Sequence, residues 1–244
     1  MKNMSKKSAD TKSKIKPKNK SKLKSKTKLK SKTDSNHSVK SLQTETLQTE
    51  TLQTETLQTE TLQTEALQRK PLAWGITGAG DKLAETVEVM KQIQENGYSI
   101  DVFISREGEY VLRRYQLFET VSRGFNSCKV ESGPNSPFIL GELQTGKYGA
   151  LIVSPATANT VAKIVCGIED TLLTNAVAQT AKTDVPIYIY PVDQKKGLIQ
   201  TEAPDGRKFT LKMRKIDLEN SKKLKEMENI KVLKSPEKLK KYLK

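Results

Sequence analysis

The segment from Ala150 to Gly167 constrains the fold of this chain more than any other part of the sequence. The apolar run Ala150–Val153 leads into residues 154–160, which are small or hydroxylated, and residues 161–167 then have helical spacing. A short apolar run that passes directly into a helix is typical of a buried parallel strand followed by a crossover helix. In an open α/β sheet, the loop after such a strand lies where ligands bind. We therefore expect residues 154–160 to line a ligand site.

The charge distribution divides the 244 residues into two parts. Residues 1–70 hold 17 Lys/Arg against 7 Asp/Glu, a net charge of +10, whereas residues 71–244 hold 26 against 21, a net charge of +5. The second part has the size of one ordinary domain and can bury a single core. The sequence therefore predicts one globular domain that follows a long basic extension.

The basic extension has two segments of different composition. Residues 1–40 are rich in lysine and poor in apolar residues, so charge repulsion and lack of burial predict a disordered tail. Residues 41–66 carry five copies of Leu-Gln-Thr-Glu at a five-residue period, which places the leucines on no common face and predicts a linker. The lysines can attract nucleic acid or anionic lipid, but no aromatic residue lies among them for base stacking. We favour a solvated tail over a nucleic-acid contact.

Cysteine and histidine usage argues against a metal centre within one chain. Cys128 and Cys166 lie far apart in the sequence, and the single histidine, His37, lies in the basic tail. A zinc or iron–sulfur site normally needs about four Cys or His ligands, so we expect no metal site, and a disulfide stays open. The sequence also lacks a signal-peptide core and any apolar stretch near the roughly 18 residues of a membrane span. We expect a cytoplasmic protein without membrane contact.

The sequence from Pro71 onward begins with a βαβ pattern. Leu72–Ile76 is an apolar strand candidate, residues 77–80 form a glycine-rich turn, and residues 81–96 have helical spacing. Residues 98–105 then alternate as a second strand. This order predicts neighbouring parallel strands joined by a helix.

The glycine-rich turn can approach an anion closely. Residues 75–80 read GxxGxG, which is not the GxGxxG dinucleotide fingerprint, and they lack the lysine of a P-loop. Glycine permits close backbone approach, Thr77 adds a hydroxyl, and the following helix presents its amides. Ser105, at the end of the second strand, can add a hydroxyl to the same phosphate. A tight βα turn without a ligand is the alternative.

The remaining sequence gives weaker signals. Residues 122–146 contain four glycines and two prolines, and we expect a long irregular segment that serves as a lid or a partner surface. Further expected elements are a helix over 109–118, a hairpin of 195–201 and 208–213, a helix over 216–228, a strand over 231–233 and a final helix from Ser235.

Three stretches of the sequence resemble a known family. They are AWGITGAG at residues 73–80, GKYGALIVSPATANTVAKIVCGIEDTLLTNAVAQ at 146–179, and VPIYIYPVD at 185–193. Together they resemble the flavoprotein superfamily of homo-oligomeric flavin-containing cysteine decarboxylases, closest to its archaeoflavoprotein and dihydromethanopterin reductase branch. The most specific part is PATANT at 155–160, which matches the family's PASANT-type motif with Thr in place of Ser.

The resemblance implies a fold, a cofactor and an assembly. The expected fold is α/β, a flavodoxin-like (Rossmann-type) three-layer domain with a parallel sheet, over residues 71–234, with residues 235–244 as a C-terminal helix. The expected cofactor is FMN. In this family a neighbouring subunit of a trimer or larger homo-oligomer usually completes the pocket.

The resemblance also assigns site residues by position. It implies that the phosphate contacts Thr77, Gly78 and Ala79, with a further hydroxyl from Ser105. It places the ribityl chain and ring against four residues of the second loop: Pro155, Ala156, Thr157 and Asn159. An amide residue at a strand-to-helix junction also makes a good helix N-cap, so Asn159 can serve as a cap, as a pocket residue, or as both.

Missing residues discriminate between the chemistries of this family. The decarboxylases of this family resemble one another in having an active-site histidine and a PxMNxxMW motif. Residues 71–244 of this chain contain neither. The domain therefore lacks the acid/base residue of those decarboxylases. A flavin reductase needs no such side chain, because electrons move through the flavin. We therefore expect a flavin-centred, FMN-dependent oxidoreductase that passes electrons from ferredoxin or NAD(P)H to a small acceptor such as dihydromethanopterin.

Two other classes of function stay open. One is an FMN-dependent lyase or transferase of the phosphopantothenoylcysteine decarboxylase type, and the other is a nucleic-acid-associated protein that binds through its tail. The net charge of +5 on residues 71–244 is compatible with docking an acidic ferredoxin, although net charge does not identify a partner.

Overall fold

The structure is a computed structural model that describes residues 69–243. The predicted tail at 1–40 and the predicted linker at 41–66 lie outside the described residues. The strands of the described part are β1 (Leu72–Ile76), β2 (Ile100–Ile104), β3 (Ser127–Val130), β4 (Ala150–Ala156), β5 (Ile187–Pro191), β6 (Leu198–Glu202), β7 (Lys208–Lys212) and β8 (Ile230–Val232). The helices are α1 (Leu83–Glu95), α2 (Arg106–Arg114), α3 (Phe118–Gly124), α4 (Leu140–Gln144), α5 (Ala158–Val165), α6 (Leu172–Thr180), α7 (Lys215–Glu226) and a 3₁₀-helix (Pro236–Lys241).

Six strands form one parallel sheet in the order β3-β2-β1-β4-β5-β8. The chain starts at the centre, moves outward through β2 and β3, and returns to place β4 on the other side of β1. The strand order therefore reverses between β1 and β4, where Trp74 pairs with Ile152. Loops leave this point in opposite directions, and the resulting crevice is the usual ligand site of an open α/β sheet.

Helices cover both faces of the sheet, which explains why its central strands are buried along their whole length. One face packs against α1, α2, α3 and the 3₁₀-helix, with Trp74, Met90 and Leu112 in its core. The other face packs against α4 to α7, with Phe103, Val153 and Leu173 in its core. The predicted three-layer α/β domain with a flavodoxin-like (Rossmann-type) parallel sheet is confirmed.

The prediction of a long irregular segment over residues 122–146 was wrong. This range contains the end of α3, all of β3 and all of α4, and its longest stretch outside regular elements is residues 131–139. β3 is a four-residue edge strand with the sequence SCKV, in which the alternation of polar and apolar residues is too short to indicate a strand by itself. Its position is fixed by pairing with β2, from Asp101–Ser127 to Ile104–Val130. That pairing is a long-range contact and leaves no local signal.

The other elements agree with the predictions more closely. β6 and β7 form the predicted antiparallel hairpin as a separate two-stranded sheet. α2 begins at Arg106 and ends at Arg114, earlier than predicted, because Ser105 caps it. None of the helices between residues 69 and 243 is long and apolar enough to cross a membrane. The same residues contain no group of three or more His, Cys, Asp or Glu side chains that could hold a metal ion.

Candidate functional site

A cleft of about 520 Å³ opens at the carboxyl ends of β1, β2 and β4. Loops after all three strands contribute to it, together with the segment after β3 and the start of α6. Its walls consist of Thr77, Gly78, Ser105, Arg106, Glu107, Glu131, Gly133, Pro134, Thr157, Asn159, Thr160, Lys163, Asp170, Thr171 and Leu173. Its position at the strand-order reversal and its volume are both typical of a small-molecule site.

Thr77 joins the two loops that the sequence singled out. Its hydroxyl donates to the carbonyl of Pro155 at 2.8 Å and accepts from the amide of Thr157 at 2.9 Å. Its own amide also donates to the Pro155 carbonyl, at 3.3 Å. A threonine hydroxyl has a single hydrogen, and here that hydrogen holds the loops after β1 and β4 together. Thr77 is 3% exposed, so these hydrogen bonds lie at the buried base of the cleft.

Three helices begin at the cleft, and each has a hydroxyl N-cap. Ser105 accepts from the amide of Gly108 at 3.0 Å, and Thr157 accepts from the amide of Thr160 at 3.1 Å. Thr171 caps α6 in a capping box with Thr174. Helix amino ends carry partial positive charge and free amides, so their convergence favours an anion such as a phosphate.

Asn159 is the second residue of α5 and lies exposed at the cleft. The interpretation of Asn159 as the N-cap was therefore wrong, because Thr157 has the extended backbone and the side-chain contact of a cap. The pocket role of Asn159 stays a prediction. Thr157 lines this cleft and caps α5, and its predicted contact with FMN stays a prediction.

Gly78 allows the loop after β1 to pack tightly against α2. A β-carbon at this position would lie 2.7 Å from Cβ of Glu107 and 3.2 Å from its backbone. No side chain fits there without moving the start of α2. The glycine is therefore required by a close approach between two walls of the cleft.

Five of the eight predicted site residues line the cleft, namely Thr77, Gly78, Ser105, Thr157 and Asn159. The other three do not reach it. Ala79, Pro155 and Ala156 are buried, and their backbones shape the loops: the Ala79 amide donates to Thr77, and the Ala156 carbonyl accepts from Val192.

Basic and acidic side chains line the cleft in nearly equal numbers. Lys163 forms an ion pair with Asp170 at 2.9 Å, and the guanidinium of Arg106 donates to the carbonyl of Ser132 at 2.7 Å. Glu107 and Glu131 complete the charged lining. The sequence did not single out Glu107, Glu131, Lys163 or Asp170, because segments distant in sequence bring the walls of the cleft together. The capped turn at Thr171 had a local signal, a Thr-x-x-Thr spacing that can form a capping box.

A second, larger cleft of about 680 Å³ lies between the start of α1 and the β6–β7 hairpin. The hydroxyl of Tyr115 donates to the carbonyl of Glu202 at 2.9 Å, and that of Thr201 donates to Asp81 at 3.4 Å. Burial raises the pKa of the Asp81 carboxyl, and Lys82 opposes this effect. None of the predicted site residues lines this second cleft.

Comparisons with known proteins find a family and similar proteins for this domain. The model of the Flavoprotein family matches residues 60–241. An uncharacterised protein of Methanocaldococcus jannaschii is 49% identical over 174 residues, which cover 70% of this chain and 93% of that protein. Dihydromethanopterin reductase (acceptor) from the same organism is 34% identical over 226 residues, with coverage of 68% and 92%.

A solved structure is similar over nearly its whole length. The crystal structure of Burkholderia xenovorans DmrB in complex with FMN, described as a cubic protein cage for redox transfer, has 30% sequence identity and a TM-score of 0.63. The match covers 72% of this chain and 94% of that one. The family match extends over more than half of the sequence and confirms the resemblance that the PATANT loop indicated. The chain belongs to the Flavoprotein family.

Proposed function

We propose that this protein is an FMN-dependent oxidoreductase whose 520 Å³ cleft holds the flavin. The observation that carries the proposal is the convergence of three capped helix starts and a glycine loop at the strand-order reversal of a Flavoprotein-family domain. Backbone amides at helix starts suit a phosphate, and the cleft volume suits a cofactor of this size. The residues present therefore fit FMN.

The proposal assigns a role to each predicted site residue. Gly78 and Ser105 meet the phosphate end, and Thr157 and Asn159 face the ribityl chain and ring. Thr77 holds the two loops in register, because its hydroxyl hydrogen already binds the Pro155 carbonyl. Ala79, Pro155 and Ala156 act through their backbones.

The side chains of the cleft are compatible with electron transfer through a bound flavin. FMN supplies hydride and electron transfer when it is bound, and the protein needs only to position and shield it. The sole histidine of the sequence, His37, precedes the domain, so no imidazole of residues 71–244 can act as an acid or base. The side chains that line the cleft position the cofactor through hydroxyls, an amide and two ion-paired or hydrogen-bonded cations.

The similarity to reductases supports a redox function and suggests its substrates. Besides the reductase of Methanocaldococcus jannaschii, a second reductase is similar to this chain. Dihydromethanopterin reductase (acceptor) of Methanosarcina mazei is 41% identical over 142 residues, with coverage of 54% of this chain and 59% of that protein. We propose ferredoxin or NAD(P)H as the electron donor and dihydromethanopterin or a related dihydropterin as the acceptor.

Flavin spectroscopy and rapid kinetics test this function. The purified full chain, incubated with FMN and freed of excess cofactor, is expected to keep a flavin absorption spectrum. Stopped-flow reduction by ferredoxin and by NAD(P)H then separates the two donors, and reoxidation by a dihydropterin tests the acceptor. Retention of no flavin would contradict the proposal, and turnover of a substrate without any electron donor would favour a lyase.

We also propose that the protein forms a homo-oligomer, a trimer or larger. Three large apolar side chains lie exposed on segments that surround the cleft: Tyr110 at 62%, Phe138 at 68% and Ile168 at 46%. Exposed apolar residues grouped around a site are typical of an interface. The similar DmrB structure, described as a cage, supports the same conclusion.

A further inference from the structure

Glu131 connects two of the helix starts that face the cleft. Its carboxylate accepts hydrogen bonds from the amide of Leu172 at 2.8 Å and from the amide of Arg106 at 3.3 Å. These two residues are the first residues of α6 and α2. A single side chain from the loop after β3 therefore places a negative charge where two helix amino ends meet, a position that favours an anion.

The Glu131 carboxylate accepts a hydrogen bond from the Arg106 amide, which is then not available to a phosphate at the start of α2. At the start of α2, the Gly108 amide donates to Ser105, and the Arg106 amide donates to Glu131. Among the hydrogen bonds between residues 69 and 243, the amide of Glu107 has no acceptor. An anion bound at the start of α2 would therefore contact one free amide, that of Glu107, and would lie beside the Glu131 carboxylate.

The neighbouring loop is held in place by further contacts. The guanidinium of Arg106 donates to the carbonyl of Ser132 at 2.7 Å, and the side-chain amide of Asn175 donates to Pro134 and Asn135 at 3.2 and 2.8 Å. The loop is thus tied to α2 on one side of the cleft and to α6 on the other. Because both attachments are independent of Glu131, the wall of the cleft does not depend on its carboxylate alone.

We infer that Glu131 is a specificity-determining residue, an internal anion that competes with the phosphate of the flavin for the start of α2. The inference rests on the proposed function, in which this cleft holds FMN. The carboxylate limits how strongly the cleft prefers a phosphorylated flavin over an unphosphorylated one. Removal of its charge frees the Arg106 amide and increases that preference.

The test compares FMN with riboflavin, which differ only in the phosphate. Apoprotein of the full chain is titrated with each flavin, and dissociation constants are obtained from the quenching of flavin fluorescence. The variant Glu131→Gln has nearly the same shape without the charge. We expect it to raise the riboflavin-to-FMN ratio of dissociation constants about tenfold, the change expected when a phosphate gains one charge-assisted hydrogen bond. Inorganic phosphate should also compete with FMN more strongly in this variant.

Glu107→Gln is the matched control. Glu107 lines the same cleft one residue further along α2, and its carboxylate has no hydrogen bond or ion pair with any of residues 69–243. This variant removes the same charge but leaves the Arg106 amide bound to Glu131. We expect the ratio to change by less than about threefold, since an exposed charge is screened. An equal rise in both variants would show an effect of charge alone and overturn the role of Glu131.

Further outcomes decide the inference in the same way. An unchanged ratio for Glu131→Gln overturns it, and so does an equal loss of affinity for both flavins, which would mark a purely structural residue.

If Glu131→Gln fails to fold in a thermal melt, Glu131→Asp replaces it. The shorter side chain keeps the charge but cannot reach both amides, so a ratio above that of the wild type is expected and an unchanged ratio overturns the inference. A wild-type protein that binds neither flavin overturns the proposed function and the inference together, whereas FMN binding with an insensitive ratio overturns only the inference.

Discussion

At the scale of single residues, the site depends on a few atoms that join segments far apart in sequence. The hydroxyl of Thr77 contacts two positions that lie about eighty residues later in the chain, at Pro155 and Thr157. The missing side chain of Gly78 allows α2 to approach the same loop. Both residues were predicted to contact the phosphate. The structure gives each of them a packing role that also explains its identity.

Replacement of Thr77 by valine tests the role of its hydroxyl. Valine has nearly the same shape but leaves the Thr157 amide and a lone pair of the Pro155 carbonyl without this partner. Because a buried polar group that loses its hydrogen bond is costly, we expect Thr77→Val to lower the free energy of unfolding by about 1–3 kcal/mol. Urea denaturation measures the change, and Thr77→Ser serves as the control that restores the hydroxyl. A Thr77→Val protein as stable as the wild type would contradict this role.

Replacement of Gly78 by alanine tests the close approach of the loop to α2. The new β-carbon would lie 2.7 Å from Cβ of Glu107, so the start of α2 must shift and the cleft must deform. We expect FMN affinity to fall at least about tenfold, in line with the cost of overpacking. Gly124→Ala is the matched control, because a β-carbon there would have no neighbour within 4 Å. Unchanged FMN affinity in Gly78→Ala would refute the packing argument.

At the scale of secondary-structure elements, local sequence patterns predicted some elements, whereas long-range pairing formed others that the sequence did not indicate. The central strands, α1 and the hairpin were predicted, because their apolar spacing and turn residues are local signals. β3 was missed because pairing with β2 defines it. A buried polar group at the start of β2 stabilises that pairing: Asp101 accepts from Asn126 at 2.6 Å, from Ser127 at 2.7 Å and from the hydroxyl of Tyr148 at 2.9 Å.

The Asp101 contacts predict a dependence of stability on pH. Burial by itself raises the pKa of the Asp101 carboxyl, but hydrogen bonds from Ser127, Asn126 and Tyr148 outweigh burial and lower it below its ordinary value. A lowered pKa means that ionised Asp101 stabilises the fold above the unfolded-state pKa of about 3.9. This stabilisation is lost as the pH falls through the lower pKa of the folded state.

The variant Asp101→Asn measures this contribution. It keeps the size of the side chain and removes its charge, so the three donors lose a charged acceptor. We expect a loss of about 1–3 kcal/mol in the free energy of unfolding at pH 7. The loss relative to the wild type should shrink as the pH is lowered below about 4. Urea denaturation between pH 7 and pH 3 provides the measurement, and a difference that stays constant with pH would count against the assignment.

At the scale of the whole molecule, large apolar residues lie exposed on segments next to those that line the cleft. Phe138 lies in the segment after β3 and Ile168 between α5 and α6, and the two side chains are 68% and 46% exposed. In the proposed homo-oligomer, a second copy covers this surface. The site would then be more enclosed in the assembly than in one chain.

Native mass spectrometry of surface variants tests the position of this interface. We expect the double variant Phe138→Ser with Ile168→Ser to weaken assembly at least about tenfold, since each large apolar side chain contributes about 1.5–3 kcal/mol when fully buried. Leu198→Ser is the control, because Leu198 is 73% exposed on the β6–β7 hairpin, whose residues line the second cleft and not the first one. Identical masses for the wild type and the double variant at all protein concentrations would argue against an interface at this surface.

The sequence by itself determined the fold class, the parallel βαβ units and the family. Local apolar spacing reports strands and helices, and the PATANT loop is contiguous in the chain. The tertiary structure decided which side chains meet. It placed Glu131 between α2 and α6, made Thr157 rather than Asn159 the cap of α5, and used the hydroxyl of Thr77 to join two loops. These contacts connect residues that lie apart in sequence, and only the order of strands in the sheet brings them within hydrogen-bond distance.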